Sequence, residues 1–305
     1  MSAGRFAPSP SGELHLGNLR TAILAWLFAR STGRRFLLRV EDLDRARAGS
    51  EEQQLNDLRS IGLTWDETPL RQTDRGPLYQ EAIAKLQARG LLYECFCTRR
   101  DIAEAASAPH AAPGAYPGTC RNLTEAQREE KRQHRPAALR LRSDVTELAI
   151  VDELHGAYVG LVDDFVVLRN DGVPAYNFAT VLDDLIQGID QVVRGEDLLS
   201  SAPRQSYLRS LLLPDYDAAA PILQYAHVPM VLNSSGQRLA KRDGAVTLAD
   251  LELLGLGTSE VVAKLLLSVN LPGNPQLDPA GQLAAALQVF DPDRLPREPW
   301  IFTEF

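Results

Sequence analysis

Apolar and polar positions switch between two periods along the first ninety residues. Phe6-Ala7-Pro8 is short and apolar, and Pro10 and Gly12 break it, which reads as a strand running into a turn. From Leu16 onward, Leu19, Ala22, Ile23, Trp26 and Leu27 recur at three- and four-residue steps. That spacing predicts one apolar stripe on a helix, which Gly33 ends. Phe36-Leu37-Leu38-Arg39-Val40 is a compact apolar run suited to a buried parallel strand, and it stops at Glu41-Asp42. Amphipathic helices are expected over 51–61 and 78–88. Further on, Leu139-Arg-Leu-Arg142 and Phe165-Val-Val-Leu-Arg169 read as strands, and helical patterns return over 248–267 and 280–289, before a Trp/Phe-rich end. Strand–helix–strand order at these spacings predicts an open parallel α/β sheet, whose ligands gather beyond the carboxyl ends of the strands.

Composition narrows this only a little. The 305 residues, 45% of them hydrophobic, leave room for one large domain or two to three small ones. No stretch approaches the roughly 20 apolar residues of a membrane span, and no charged-then-apolar leader precedes Arg5. A cytoplasmic protein without a membrane partner is therefore expected. A net charge of −8 argues against indiscriminate coating of nucleic acid, but leaves room for an RNA gripped by a local basic surface. Residues 121–142 hold seven Lys or Arg against three Glu, the usual composition of a solvated helix and also of an RNA-facing one.

Candidate chemistry concentrates in the turn after the first strand. Arg5-Phe-Ala-Pro-Ser-Pro-Ser-Gly12 leads to His15-Leu-Gly-Asn18 at the mouth of a helix, where backbone N–H groups and an imidazole can meet a polyphosphate. Lys241, near the small polar stretch Asn233-Ser-Ser-Gly-Gln237, lies in an Arg-x-x-Lys-Arg run, by itself the composition of a solvated basic loop and also of one that offers a point charge. Arg5 and Arg194 are candidates to hold carboxylates through a guanidinium fork. Cys95, Cys97 and Cys120, a C-x-C pair and a third cysteine after a 22-residue gap, suit one zinc rather than a disulfide framework. The local options for a fourth ligand are His110, Tyr116 and Glu94.

These segments resemble the signatures of class I aminoacyl-tRNA synthetases, in the form used by glutamyl-tRNA synthetases. The resemblance runs in family order through Arg5–Gly12 with His15–Asn18, Arg39-Val-Glu-Asp-Leu-Asp44, Tyr176-Asn-Phe-Ala-Thr-Val-Leu-Asp-Asp184, Val193-Arg-Gly-Glu-Asp-Leu-Leu-Ser-Ser201 and Arg238-Leu-Ala-Lys-Arg242. It implies a Rossmann-like catalytic domain (1–92 and 176–228) split by an α+β zinc-containing insertion (93–175). A lysine loop and a small helical stem-contact-like domain (229–305) would follow, with no anticodon-binding domain before the chain ends at Phe305. It implies glutamate binding by Arg5, Phe6, Ala7, Pro8, Ser9, Glu41, Tyr176 and Arg194, and ATP binding by His15, Gly17, Asn18, Arg238 and Lys241. His15, Asn18 and Lys241 are then the catalytic set, and Tyr116 joins Cys95, Cys97 and Cys120 around zinc. Three positions depart from the family pattern: Arg238 for a lysine, Ala240 for a serine, and Thr180 for an asparagine.

The implied partners are ATP with Mg²⁺, L-glutamate and a tRNA, acting on a monomer. The short form resembles the branch of the family that makes glutamyl-adenylate without tRNA and moves glutamate to queuosine in the anticodon loop of tRNA(Asp). Two other readings stay open: a truncated enzyme charging a tRNA 3′ end, and a non-catalytic synthetase-like binding protein.

Overall fold

The computed structural model describes residues 2–98, 100–102, 115–216, 221–239 and 246–303. The chain begins with β1 (Ala3–Phe6), a Pro/Gly turn, α1 (Leu16–Ser31), β2 (Arg35–Val40), α2 (Ser50–Ser60), β3 (Leu70–Arg71), α3 (Gly76–Ala88) and β4 (Leu92–Cys95). Next come α4 (Glu125–Arg132), β5 (Ala138–Leu141), β6 (Glu147–Asp152), β7 (Gly156–Leu161) and β8 (Val166–Leu168). Then follow α5 (Tyr176–Ile186), β9 (Ile189–Gly195), α6 (Ala202–Tyr216), β10 (Gln224–Val228) and β11 (Val231–Leu232). The last elements are α7 (Leu248–Leu253), α8 (Thr258–Leu267), α9 (Pro279–Gln288) and β12 (Trp300–Ile301).

The main sheet runs β3-β2-β1-β9-β10-β6-β7. Its first five strands are mutually parallel. The antiparallel hairpin β6–β7, from the middle of the chain, is attached to the edge strand β10 through the Tyr225–Asp152 pair. A separate antiparallel sheet, β4-β5-β8, adjoins the cysteines. Strand order reverses at β1, with β2 on one side and β9 on the other. That is the place where a crevice opens beyond the strand ends.

The helix α1 is buried almost all round between Leu19 and Ala29, Leu24, Ala25 and Phe28 included. The sequence stripe described one apolar face; the second is needed because α8 and α9 cover the side of α1 that faces away from the sheet. On the opposite sheet face, Tyr79 and Ile83 of α3, Phe178 and Leu182 of α5, and Leu208 and Leu212 of α6 share a second core. The helical pattern over 248–267 is two helices. Gly255, at φ +83°, ends α7 with the Leu256 N–H bonded to the Leu251 carbonyl, a left-handed stop that a side chain would strain. Among the described residues, no helix is long and apolar enough to cross a membrane.

Candidate active site

Beyond the carboxyl ends of β1, β2 and β9 lies a cleft of about 600 Å³. Arg5, Phe6, Ala7, Pro8 and Ser9 line it from the β1 turn, and His15, Gly17 and Asn18 from the start of α1. Glu41, Tyr176, Arg194 and Arg238 complete the wall from four other segments. Lys241 and Ala240 lie outside the described residues, as does His110.

His15 is the N-cap of α1. Its Nδ1 accepts from the Gly17 N–H at 3.0 Å, a donor that the first turn leaves without a helical partner, and shares the Asn18 N–H, 3.3 Å away, with the His15 carbonyl at 2.8 Å. Burial, reinforced by Arg238, lowers the imidazole pKa to about 4, so the ring is neutral near pH 7. With Nδ1 accepting, the one proton sits on Nε2, and the ring is a hydrogen-bond donor on the cleft wall. The fold demands glycine at position 17: a Cβ there would lie 2.9 Å from His15 Cε1. Asn18 closes the cap by accepting the His15 N–H through Oδ1 at 3.2 Å, which leaves its NH₂ as a second neutral donor.

Glu41 is held inside a buried ion network. Arg39, near the carboxyl end of β2, donates to Glu41 Oε1 at 3.2 Å and to Asp184 Oδ1 at 2.7 Å. Arg5 grips the same Asp184 with two bonds of 3.1 and 3.2 Å. Burial opposes the ionisation of Asp184, yet Arg39 and Arg5 hold its carboxyl at about 2. Burial pushes Glu41 upward, against the pull of Arg39 and Arg5. Thr180 keeps a polar contact at the position where the family pattern has asparagine: its hydroxyl donates to Glu41 Oε1 at 3.0 Å. Arg194 is buried, with Nη1 donating to Gln205 Oε1 at 2.7 Å and Nη2 to the Leu198 carbonyl at 3.2 Å. Arg238 is exposed and pairs with Asp197 at 3.0 Å. It follows the Asn233–Gln237 turn, closed by the Asn233 N–H on the Gln237 carbonyl.

Several supports were not singled out from the sequence. Gln54, on α2, donates to the carbonyls of Ser9 and Gly12 and so braces the turn from behind. A charged Arg39 within a buried apolar run was the available signal for the network. For Gln54 there was none, since its partners are main-chain carbonyls 45 and 42 positions away, and for Gln205, 11 positions from Arg194, a lone polar residue on a helix does not announce its partner.

In the inserted segment, the sulfurs of Cys95, Cys97 and Cys120 lie within 4.8 Å of one another. The Tyr116 hydroxyl is 3.3 Å from Cys95 Sγ and 3.6 Å from Cys97 Sγ, and the Cys97 and Cys120 sulfurs are 3.6 Å apart. Tetrahedral bonds of roughly 2.3 Å to sulfur and 2.0 Å to oxygen would separate the ligands by about 3.5–3.8 Å, so the four side chains fit one zinc ion. The Arg140 guanidinium lies 3.7 Å above the Tyr116 ring, while burial and the Cys95 contact push the phenol up, so a metal ion would have to displace its proton. Glu94 is engaged elsewhere, paired with Arg132.

Comparison with known proteins places this geometry. Residues 3–266 match the family described as tRNA synthetases class I (E and Q), catalytic domain. A glutamyl-Q tRNA(Asp) synthetase of Nocardia farcinica is 60% identical over 303 residues, 99% of this chain and 93% of that protein. One from Cutibacterium acnes is 51% identical, covering 89% of this chain and 77% of its own. Among solved structures, a glutamate tRNA ligase from Elizabethkingia meningosepticum in complex with its amino acid superposes with a TM-score of 0.79 at 26% identity, covering 99% of this chain and 67% of that one.

Proposed function

Because the chain belongs to the class I tRNA synthetases of the E and Q type and is a ligase-type enzyme, we propose that it activates glutamate with ATP in the absence of tRNA and transfers the glutamyl group to the cyclopentene-diol of queuosine in the anticodon loop of tRNA(Asp). One observation carries the reading: two guanidinium groups, a buried carboxylate and an imidazole donor at a helix start converge on a single cleft.

In the first step a glutamate carboxylate attacks the α-phosphate of ATP and pyrophosphate leaves, so both reactants are anions and catalysis is chiefly positioning and charge compensation. The Nε2–H of His15 and the amide of Asn18 donate to phosphate oxygens as negative charge builds on them. Arg238 supplies positive charge at the same wall, and Lys241 is assigned the departing pyrophosphate. Arg5 and Arg194 take the two carboxylates of glutamate, Glu41 takes the ammonium, and Ser9 and Tyr176 complete the polar contacts. Mg²⁺ enters with ATP, and no residue is assigned to it. In the second step a queuosine hydroxyl attacks the mixed anhydride and AMP leaves. Zinc held by Cys95, Cys97, Tyr116 and Cys120 would be structural, tying β4 to the loop before α4.

The names of the most similar relatives favour queuosine over a 3′ adenosine as acceptor. The test is glutamate-dependent ATP–pyrophosphate exchange without tRNA, followed by transfer of labelled glutamate to tRNA(Asp) with and without queuosine. Label on queuosine-containing tRNA(Asp) trimmed of its 3′ adenosine is the expected result. Label confined to intact 3′ ends would replace it with the charging reading, and no exchange at all would overturn activation in the absence of tRNA.

A further inference from the structure

The third bond to Arg194 is chemically conditional. Its Nε donates to Nε2 of His227 at 2.9 Å, on the neighbouring strand β10 where His227 faces Arg194 in register. A guanidinium has only donors, so this bond exists only while His227 Nε2 presents a lone pair. The ring's other nitrogen, Nδ1, lies 2.6 Å from Oδ2 of Asp152, and both side chains are wholly buried. A carboxylate accepts, so Nδ1 carries the proton and Nε2 does not. Asp152 is itself fixed by backbone N–H groups: Leu154 at 2.9 Å, His155 at 3.1 Å and His227 at 3.1 Å. The His227 ring is further set by stacking on Tyr225, with centroids 5.9 Å apart.

We propose that His227, with its tautomer set by Asp152, is a positioning residue that aims Arg194 at the carboxylate of the amino-acid substrate. The proposal rests on the glutamate-binding role given to Arg194 above. With Nε, one Nη1 hydrogen and one Nη2 hydrogen engaged by these three partners, one N–H on each terminal nitrogen remains for the two-pronged contact that a carboxylate matches. Asp152 thus governs a cleft residue through an imidazole, as a buried aspartate orients a catalytic histidine elsewhere. The hairpin β6–β7 gains a task in this arrangement, since Asp152 is its contribution to the sheet edge.

Two variants separate positioning from packing. His227→Asn keeps an amide donor near Nδ1 for Asp152 but has nothing at the Nε2 place. His227→Gln places a carbonyl acceptor near the Nε2 place and has no donor near Nδ1. In pyrophosphate exchange, H227N should raise the glutamate KM about 10-fold with the ATP KM within about two-fold, whereas H227Q should stay within about three-fold on both. A glutamate KM unchanged in H227N, or raised as much in H227Q as in H227N, would overturn the proposal. Should both variants fail to fold, ¹⁵N NMR of the wild-type histidines decides: a proton found on Nε2 of His227 sinks it, and one on Nδ1 sustains it. Arg194→Lys is the companion variant. If R194K leaves the glutamate KM unchanged, the assignment of Arg194 falls and this inference with it. If R194K raises the KM while H227N does not, only the present inference falls.

Discussion

His15 performs two tasks with its two nitrogens: Nδ1 caps the helix, and Nε2 faces the cleft. His15→Asn separates them, because asparagine is a good N-cap but places no donor at Nε2. We expect H15N to keep its melting temperature within a few degrees while the exchange rate falls about 100-fold. The same residue sets a pH signature. Folded His15 takes its proton only near pH 4, against 6.5 for the unfolded ring, so the unfolded chain binds more protons between those values. The stability tied to this group is complete above pH 6.5 and is lost as pH falls toward 4, by up to about 3 kcal/mol. Urea melts of wild type and H15N at pH 7.5 and 4.5 measure it: wild type should lose more on acidification, and equal losses would refute the assignment. Thr180 offers a second check. Thr180→Val keeps the shape but removes the bond to Glu41, and the glutamate KM should rise about 10-fold in pyrophosphate exchange with little change in kcat. The sequence made the cleft residues legible because they cluster in short motifs at strand and helix ends. Gln54 acts on main-chain carbonyls 45 and 42 positions away and leaves no local pattern, and although Asp184 stands in the Tyr176–Asp184 segment, its pairing with Arg5, 179 positions away, is not written there.

At the scale of elements, the start of α1 shows how close packing dictates a motif. The imidazole folds back over residue 17, and only a glycine leaves it room. Gly17→Ala should displace the ring, cost about 1–2 kcal/mol in denaturant melts and slow exchange as severely as H15N. A variant with full activity would show that the ring is free to leave its cap. Most early elements were readable to within a residue or two: α2 begins one residue before its expected position, α3 two, and α1 ends just before Gly33. The second buried face of α1 was not, because a periodic stripe records what a helix needs on one side and not what later helices cover. Nor was the β6–β7 hairpin legible as part of the main sheet, since only the Tyr225–Asp152 pair joins it to β10.

For the molecule as a whole, the cysteine cluster and the cleft occupy separate bodies of structure with a polar connection. Asp163 accepts the Tyr116 N–H at 2.8 Å and the Arg204 guanidinium at 2.6 Å, and Arg204 precedes Gln205 on α6. Metal analysis of purified protein should find one zinc per chain, and Cys120→Ser should lose it and melt at a lower temperature, since metal binding is folding free energy in such modules. A metal-free C120S with an unchanged melting curve would deny the cluster a structural role.

The seam between β1 and β9 has a consequence for how the protein is made. During synthesis the first strand emerges long before its partner, and Ala3 must wait for Asp190, 187 positions later, to receive its N–H. Until then the β1 edge stands open, with no neighbour on that flank. Pairings so remote in the chain close slowly, so the interval between ribosomal exit of the two strands is when this flank of the sheet stays unpaired.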